Sequence, residues 1–237
     1  MVAGNMDHSY QFTILYEDND LFLLNKPTGL LSVPDGYDHT LPHIKSVLEP
    51  EYGKIWMVHR LDKDTSGVIL IARNPQTHQQ LNESFRLRKI DKTYHALVSP
   101  VPTWRELDIQ LPLQTNADRR HRTRVNMTNG KEAHSYCQVE KWFQLGVLMK
   151  IQIHTGIGHQ IRAHLRTYNL AILGDDLYSP GLPQPPIAVP RIMLHAREIA
   201  FSHPASGKWI SCTAPYPDDF RAAYHQLKST TEQDVMI

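Results

Sequence analysis

HRLDKDTSGVILIAR, residues 59–73, sets a polar, turn-forming segment directly before the most apolar run of this chain. Val68 to Ala72 has no polar interruption, the pattern of a central strand covered on both faces. His59 to Gly67 has the residues of a surface loop, but a loop anchored to a core strand holds its side chains in fixed positions, as catalysis requires. Taken alone, Asp62 in such a loop is ordinarily a solvated turn residue.

Outward from this segment, Asn74 and Pro75 read as N-cap and first helical residue, and Leu81 and Phe85 share one face of a helix running to about Lys89. Upstream, residues 12–16 and 21–24 flank the acidic turn Glu17-Asp18-Asn19-Asp20 as a hairpin or a pair of adjacent strands, and Ile44 to Leu48 is a weak helix candidate. Downstream, Thr93 to Val98 is strand-like, and Pro100 to Pro112 reads as an irregular, proline-punctuated connection. Residues 133–139 and 147–153 form the clearest strand pair, and Gly156 and Gly158 precede a helix from His159 to Tyr168. Strands at 192–201 and 209–213 and a helix at 217–227 follow. Without a regular βαβ rhythm, the pattern predicts an α+β domain with a mixed sheet. We expect one domain over residues 11–227, a flexible segment at 1–10 and a polar tail at 228–237.

The chain has 237 residues, 41% of them hydrophobic, enough for an ordinary core, so a disordered or fibrous class is excluded. It shows neither a signal peptide nor an apolar run long enough to span a membrane, and is expected to be soluble and cytoplasmic. Cys137 and Cys212 are expected as reduced thiols. With 25 Lys+Arg against 24 Asp+Glu, the net charge of +1 by itself argues against a nucleic-acid partner.

Five further segments change that inference. They are NKPTGLLSVP at 25–34, KTYHALV at 92–98, HTGIGHQIRAH at 154–164, LGDDLY at 173–178 and LHA at 194–196. Together with HRLD at 59–62 they resemble, in order and spacing, the motifs of the RluA-type family of RNA pseudouridine synthases, across roughly residues 12–220. The resemblance implies a pseudouridine synthase fold: a largely antiparallel mixed sheet in two halves, flanked by helices, with the active cleft across its middle. It also implies an isomerase that needs no cofactor and no metal.

In that reaction the bond from C1′ to N1 of uridine breaks, the uracil rotates, and C1′ bonds to C5. The resemblance assigns the catalytic carboxylate to Asp62, acting either as nucleophile or as base toward a sugar proton. It assigns Tyr94 to stacking on the uracil and Arg162 to pairing with the aspartate, which a planar fork does better than lysine. Arg60 matches a residue inserted where the base left the RNA stack, or one that contacts phosphate. The sequence departs from the family at Ile157, where an arginine is usual, which bears on RNA grip or substrate choice.

Basic residues also cluster. Arg86, Arg88, Lys89 and Lys92 follow the predicted helix, and Arg119, Arg120, Arg122 and Arg124 fall within six residues. These are the expected RNA contacts, positioning more than specifying. His154, His159 and His164 are five apart, a spacing that does not put two ligands on one helix face, so no metal site is expected. The expected partners are hairpin loops of ribosomal or transfer RNA. No obligate protein partner and a monomeric state are expected, and no S4-type module, because the NKP segment starts at Asn25. The rival reading is a non-catalytic RNA-binding or RNA-folding factor on the same fold, against which the joint presence of Asp62, Tyr94 and Arg162 argues.

Overall fold

The computed structural model describes residues 12–232. The expected flexible segment at 1–10 lies outside those residues. A hairpin opens the domain, β1 (Thr13–Glu17) and β2 (Leu21–Lys26), followed by α1 (Ile44–Tyr52), β3 (Trp56–Met57), β4 (Ser66–Ala72) and α2 (Pro75–Arg86). Next come β5 (Asp91–Ser99), β6 (Glu106–Ile109), β7 (Leu113–Gln114), β8 (Arg124–Val125), β9 (Ser135–Trp142) and β10 (Val147–Ile153). The chain continues through α3 (Gln160–Thr167), β11 (Ala171–Ile172), β12 (Leu194–Ser202), β13 (Trp209–Thr213) and α4 (Asp218–Glu232).

Among the described residues the main sheet runs β1-β2-β4-β12-β5-β10-β9-β6, with β3 on β4, β13 on β12 and β11 on β5. Its pairs are antiparallel except β4 with β12, which match for two positions, Ser66 with His195 and Gly67 with Ala196. This short parallel seam joins the two halves of the sheet. Every residue of β4 is buried, as its unbroken apolar run predicts, and so is Leu21 to Leu24 of β2 beside it.

Gly67 makes the seam possible. Its φ is +118°, and a Cβ there would stand 2.2 Å from the Ala196 carbonyl oxygen. On the other side of β12 the register with β5 slips between Ala196 and Glu198, opposite Tyr94 and Thr93. A bulge at such a place re-aims side chains.

Three sequence expectations are corrected. Residues 100–112 contain β6, a strand at the end of the sheet that pairs with β9 from Glu106–Gln138 to Ile109–Ser135. The first long helix stops at Arg86, because Arg88 has φ +56° and no longer follows the helix. The last helix continues beyond Leu227 to Glu232, so residues 228–232 of the expected tail are helical and 233–237 lie outside the described residues. Asn74 does cap α2, accepting from the Thr77 amide at 2.8 Å with Pro75 next in line. Both cysteines are free, and no helix among the described residues is long and apolar enough to cross a membrane.

Two buried imidazoles, His195 and His95, line the seam. His195 bridges Ser66 Oγ at 3.0 Å and the Ala214 carbonyl at 3.3 Å, and burial pushes its pKa down to about 4. His95 on β5 is likewise pushed down to about 4, and His59 to about 3, by burial first and neighbouring cations second. The unfolded chain therefore takes up protons from about pH 6.5 downward that the folded chain refuses until about pH 4 or lower. Stability is complete above that window and falls as pH drops through it, each histidine adding a slope of up to about 1.4 kcal/mol per pH unit. Urea unfolding at pH 7.5, 6 and 5 is expected to show midpoints that decline in that order. A flat profile would show that these imidazoles are not held neutral.

Candidate active site

Asp62 sits in the turn just before β4, at the seam between the half-sheets, and backbone and side-chain bonds hold this turn on both sides. The Asp62 carbonyl accepts from the Thr65 amide at 3.1 Å. Ser32 Oγ donates to the Leu61 carbonyl at 2.8 Å and accepts from the Leu61 amide at 3.0 Å. Lys26 Nζ and the Gly29 amide both reach the Lys63 carbonyl, at 3.0 and 2.9 Å. Thr28 Oγ1 and Arg191 donate to the Asp64 carbonyl at 3.3 and 3.2 Å. The NKPTGLLSVP segment is thus a clamp on the aspartate loop, and His59 Nε2 extends the clamp by accepting from the Leu70 amide at 2.8 Å. Lys26 is fully buried with carbonyl acceptors, and burial pushes its ammonium down to about 7.

Asp62 and Tyr94 line one cavity of about 120 Å³ with Arg60, Ile157, His159 and Arg162. That is room for several waters. Tyr94 comes from β5, next to Ala196 of β12, and is buried. Burial, and after it the charge of Asp62, raises the Tyr94 phenol well above its ordinary pKa, so it stays a neutral ring. The Asp62 side chain keeps 30% of its exposure and faces His159 Nε2 at 3.8 Å. His159 caps α3 in a left-handed conformation, φ +58°, a strained choice for a residue other than glycine. Burial lowers its pKa against the opposing pull of Asp62.

Arg162 also lies in this cavity, and its hydrogen bonds go to a second carboxylate. Its Nε and one terminal nitrogen each donate at 2.8 Å to the two oxygens of Asp175, whose side chain is fully buried. Burial works against the charged guanidinium, but the bonded Asp175, and then Asp62 at longer range, raise its pKa. Arg162 is therefore a cation bonded to Asp175 and within the electrostatic reach of Asp62. Its guanidinium also lies 4.9 Å from the centre of the Tyr178 ring.

His159, Asp175, Tyr178 and Arg191 are site residues to which the sequence reading gave no role. For Asp175 and Tyr178 a signal was present in LGDDLY, but no spacing rule ties them to Arg162. Tyr178 Oη accepts from the Thr123 amide at 2.7 Å, and Thr123 Oγ1 donates to the Gly158 carbonyl at 2.7 Å. These bonds attach the arginine-rich loop to the turn before α3.

Within that loop Arg119 and Arg120 are exposed, whereas Arg122 and Arg124 approach Asp118 at 2.7 and 2.8 Å. Against desolvation, Arg122 and backbone amides hold Asp118 down to about 2. Near the other rim, Arg86 pairs with Glu83, Arg88 grips Glu132 with two bonds of 2.7 Å, and Lys89 is exposed. The three evenly spaced histidines are engaged separately: His154 stacks on His134 at 4.4 Å, His159 faces Asp62, and His164 bonds Ser135 Oγ and the Leu111 carbonyl, each at 2.9 Å.

The arrangement offers a carboxylate, a flat ring beside it and a fixed cation behind it, at a cleft with basic residues on its rims. A family profile described as RNA pseudouridylate synthase matches residues 20–167. The dual-specificity RNA pseudouridine synthase RluA of Pasteurella multocida is 35% identical over 208 residues, which cover 85% of this chain and 92% of that one. The ribosomal large subunit pseudouridine synthase C of Buchnera aphidicola is 34% identical over 222 residues, covering 90% and 70%. Among solved structures, human RNA pseudouridylate synthase domain containing 4 superposes with a TM-score of 0.75 at 26% identity, covering 90% of this chain and 92% of that one.

Proposed function

The chain belongs to the RNA pseudouridylate synthase family, whose reaction is an isomerisation, and from that premise we propose that it converts specific uridines to pseudouridine in hairpin loops of ribosomal and transfer RNA. Asp62 is the reacting carboxylate. The convergence of Asp62, Tyr94 and Arg162 on one small cavity carries this reading. The target uridine leaves the RNA stack and its base lies on Tyr94, a cost that stacking and hydrogen bonds offset. Asp62, with the Arg162 guanidinium on the same cavity wall, faces C1′ while the C1′–N1 bond breaks. The uracil turns over on the tyrosine, C1′ bonds to C5, and the proton leaving C5 is balanced by one gained at N1. Nothing is oxidised or reduced. Arg60, exposed at the mouth of the cavity, fills the space that the base leaves or meets a phosphate. We also infer that the chain works in the cytoplasm without an obligate protein partner.

The deciding experiment incubates the protein, without added metal, with hairpin transcripts of transfer RNA and large-subunit ribosomal RNA, then labels pseudouridine chemically. Product at defined uridines is expected; binding with no product would favour the non-catalytic reading. Exposed Arg119 and Arg120 are the loop cations available to phosphate. Changing both to glutamate is expected to weaken RNA binding and to flatten its salt dependence by about one logarithmic unit per lost contact. Unchanged affinity at low salt would exclude that loop from the interface.

A further inference from the structure

A second, larger cavity of about 770 Å³ adjoins the catalytic one and shares with it Arg60, Tyr94, Ile153, Gly156 and Ile157. Its volume lies in the range of about 300–1,000 Å³ typical of sites for small ligands. Its walls divide by chemistry. Val58, Phe85, Ile153 and Ile157 supply apolar surface, and His154, exposed and already stacked on His134, supplies a flat ring. Its charged lining consists of Arg60, Arg86, Arg88, Lys92 and Lys131 against one carboxylate, Glu132.

We propose that this groove is a subsite for the base of a nucleotide adjoining the target uridine, and that Ile157 is the residue that shapes it for a base. The inference rests on the reading of the chain as an RNA pseudouridine synthase. Any RNA that delivers a uridine to the small cavity brings its neighbour to the shared wall, one nucleotide step away. An apolar floor under a cationic rim suits a base and its phosphate in that order: base faces pack on apolar and aromatic surface, and phosphates meet the cations.

Ile157 forms part of both cavities. Its backbone is fixed by donation to Gln160 Oε1 at 3.1 Å, and its side chain packs against the cluster of Leu113, Ala133, Ala163 and Tyr178. Gly156 and Gly158 beside it have no neighbour within 4 Å of where a Cβ would lie, so the wall is open on either side of Ile157. Arginine, the residue that the family resemblance leads one to expect here, would place a charge on the partition and replace apolar packing surface with a phosphate ligand. With isoleucine the contact is with a base, and the neighbouring nucleotide becomes part of what the site reads.

The test uses binding, so that it does not depend on turnover. Asp62→Asn protein is titrated with hairpins that are intact or abasic at the nucleotide immediately 5′ or 3′ of the target uridine. At one of these positions the abasic lesion is expected to weaken binding about tenfold. It should weaken binding no further once Ile157→Arg or Phe85→Ala has been added, with thermal melts confirming that each variant is folded. The subsite is overturned if the lesions have no effect, or if they act equally with and without the added substitutions. If wild type isomerises the intact hairpins while the lesions are silent, the subsite fails and the proposed function stands. Absence of both RNA binding and wild-type turnover overturns both.

Discussion

Asp62→Asn protein is expected to lose pseudouridine formation by at least about 10³-fold, since nothing else in the cavity can replace the carboxylate at C1′. The substitution keeps the shape of the side chain and removes its charge. The loop should not move, because its position depends on bonds to the backbone of Leu61, Asp62, Lys63 and Asp64 rather than on the carboxylate. Nor should stability change by more than about 1 kcal/mol, because the facing imidazole at 3.8 Å is a partly exposed partner of little worth. RNA affinity should persist, since the arginines and Tyr94 are untouched. Product formation, binding and thermal melting, measured on one preparation, separate these effects. A variant retaining more than about a tenth of wild-type activity would remove Asp62 from the chemistry.

What could be read from the sequence follows from physical range. The β4 strand was legible because five apolar residues without interruption require cover on both faces, and α2 because Asn74-Pro75 is a local cap. Strand β6 was not legible: Glu106 to Ile109 carries two charges, and its order comes from partners about 30 residues away, including the bond from Tyr136 to Glu106. Two-residue strands such as β3 and β11 have no sequence signal of their own and exist through the neighbours they pair with. The end of α4 is not legible either: residues 228–232 are polar and read as a tail, although they carry no glycine or proline to stop a helix.

The site shows the same division. Asp62 stood out beside β4, but Tyr94 and Arg162 were linked to it through family resemblance. The side chain that holds Arg162 was missed because a carboxylate in Leu173-Gly174-Asp175-Asp176 looks solvated until burial is known. Once it is known, a cation must be sought, since an unpaired buried carboxylate is too costly to persist.

That burial makes Asp175 the position where a one-atom change should do the most damage to the fold. Its carboxylate is fully buried, accepts both bonds of the Arg162 fork, and also receives the backbone amides of Leu177 and Tyr178 at 3.2 and 3.1 Å. Asparagine keeps the volume and one acceptor but cancels the charge, leaving the largely buried guanidinium of Arg162 without its bonded counter-ion. Removing one member of such a pair costs about 3–5 kcal/mol. For a chain of this size that lowers Tm by on the order of 10 °C. Arg162 would then have Asp62 as the carboxylate left in its field. Without the two bonds from Asp175 the guanidinium is no longer fixed at the cavity wall, so Asp175→Asn should lose activity even at temperatures where it is folded. Adding Arg162→Met removes the orphaned charge and should recover part of the stability but none of the activity, because the cavity has then lost its fixed cation. Urea unfolding of the two single variants and the double, with turnover measured on each, tests both statements. Destabilisation below about 1 kcal/mol in Asp175→Asn would show that Arg162 finds solvent or another partner and that the pair does not govern the site.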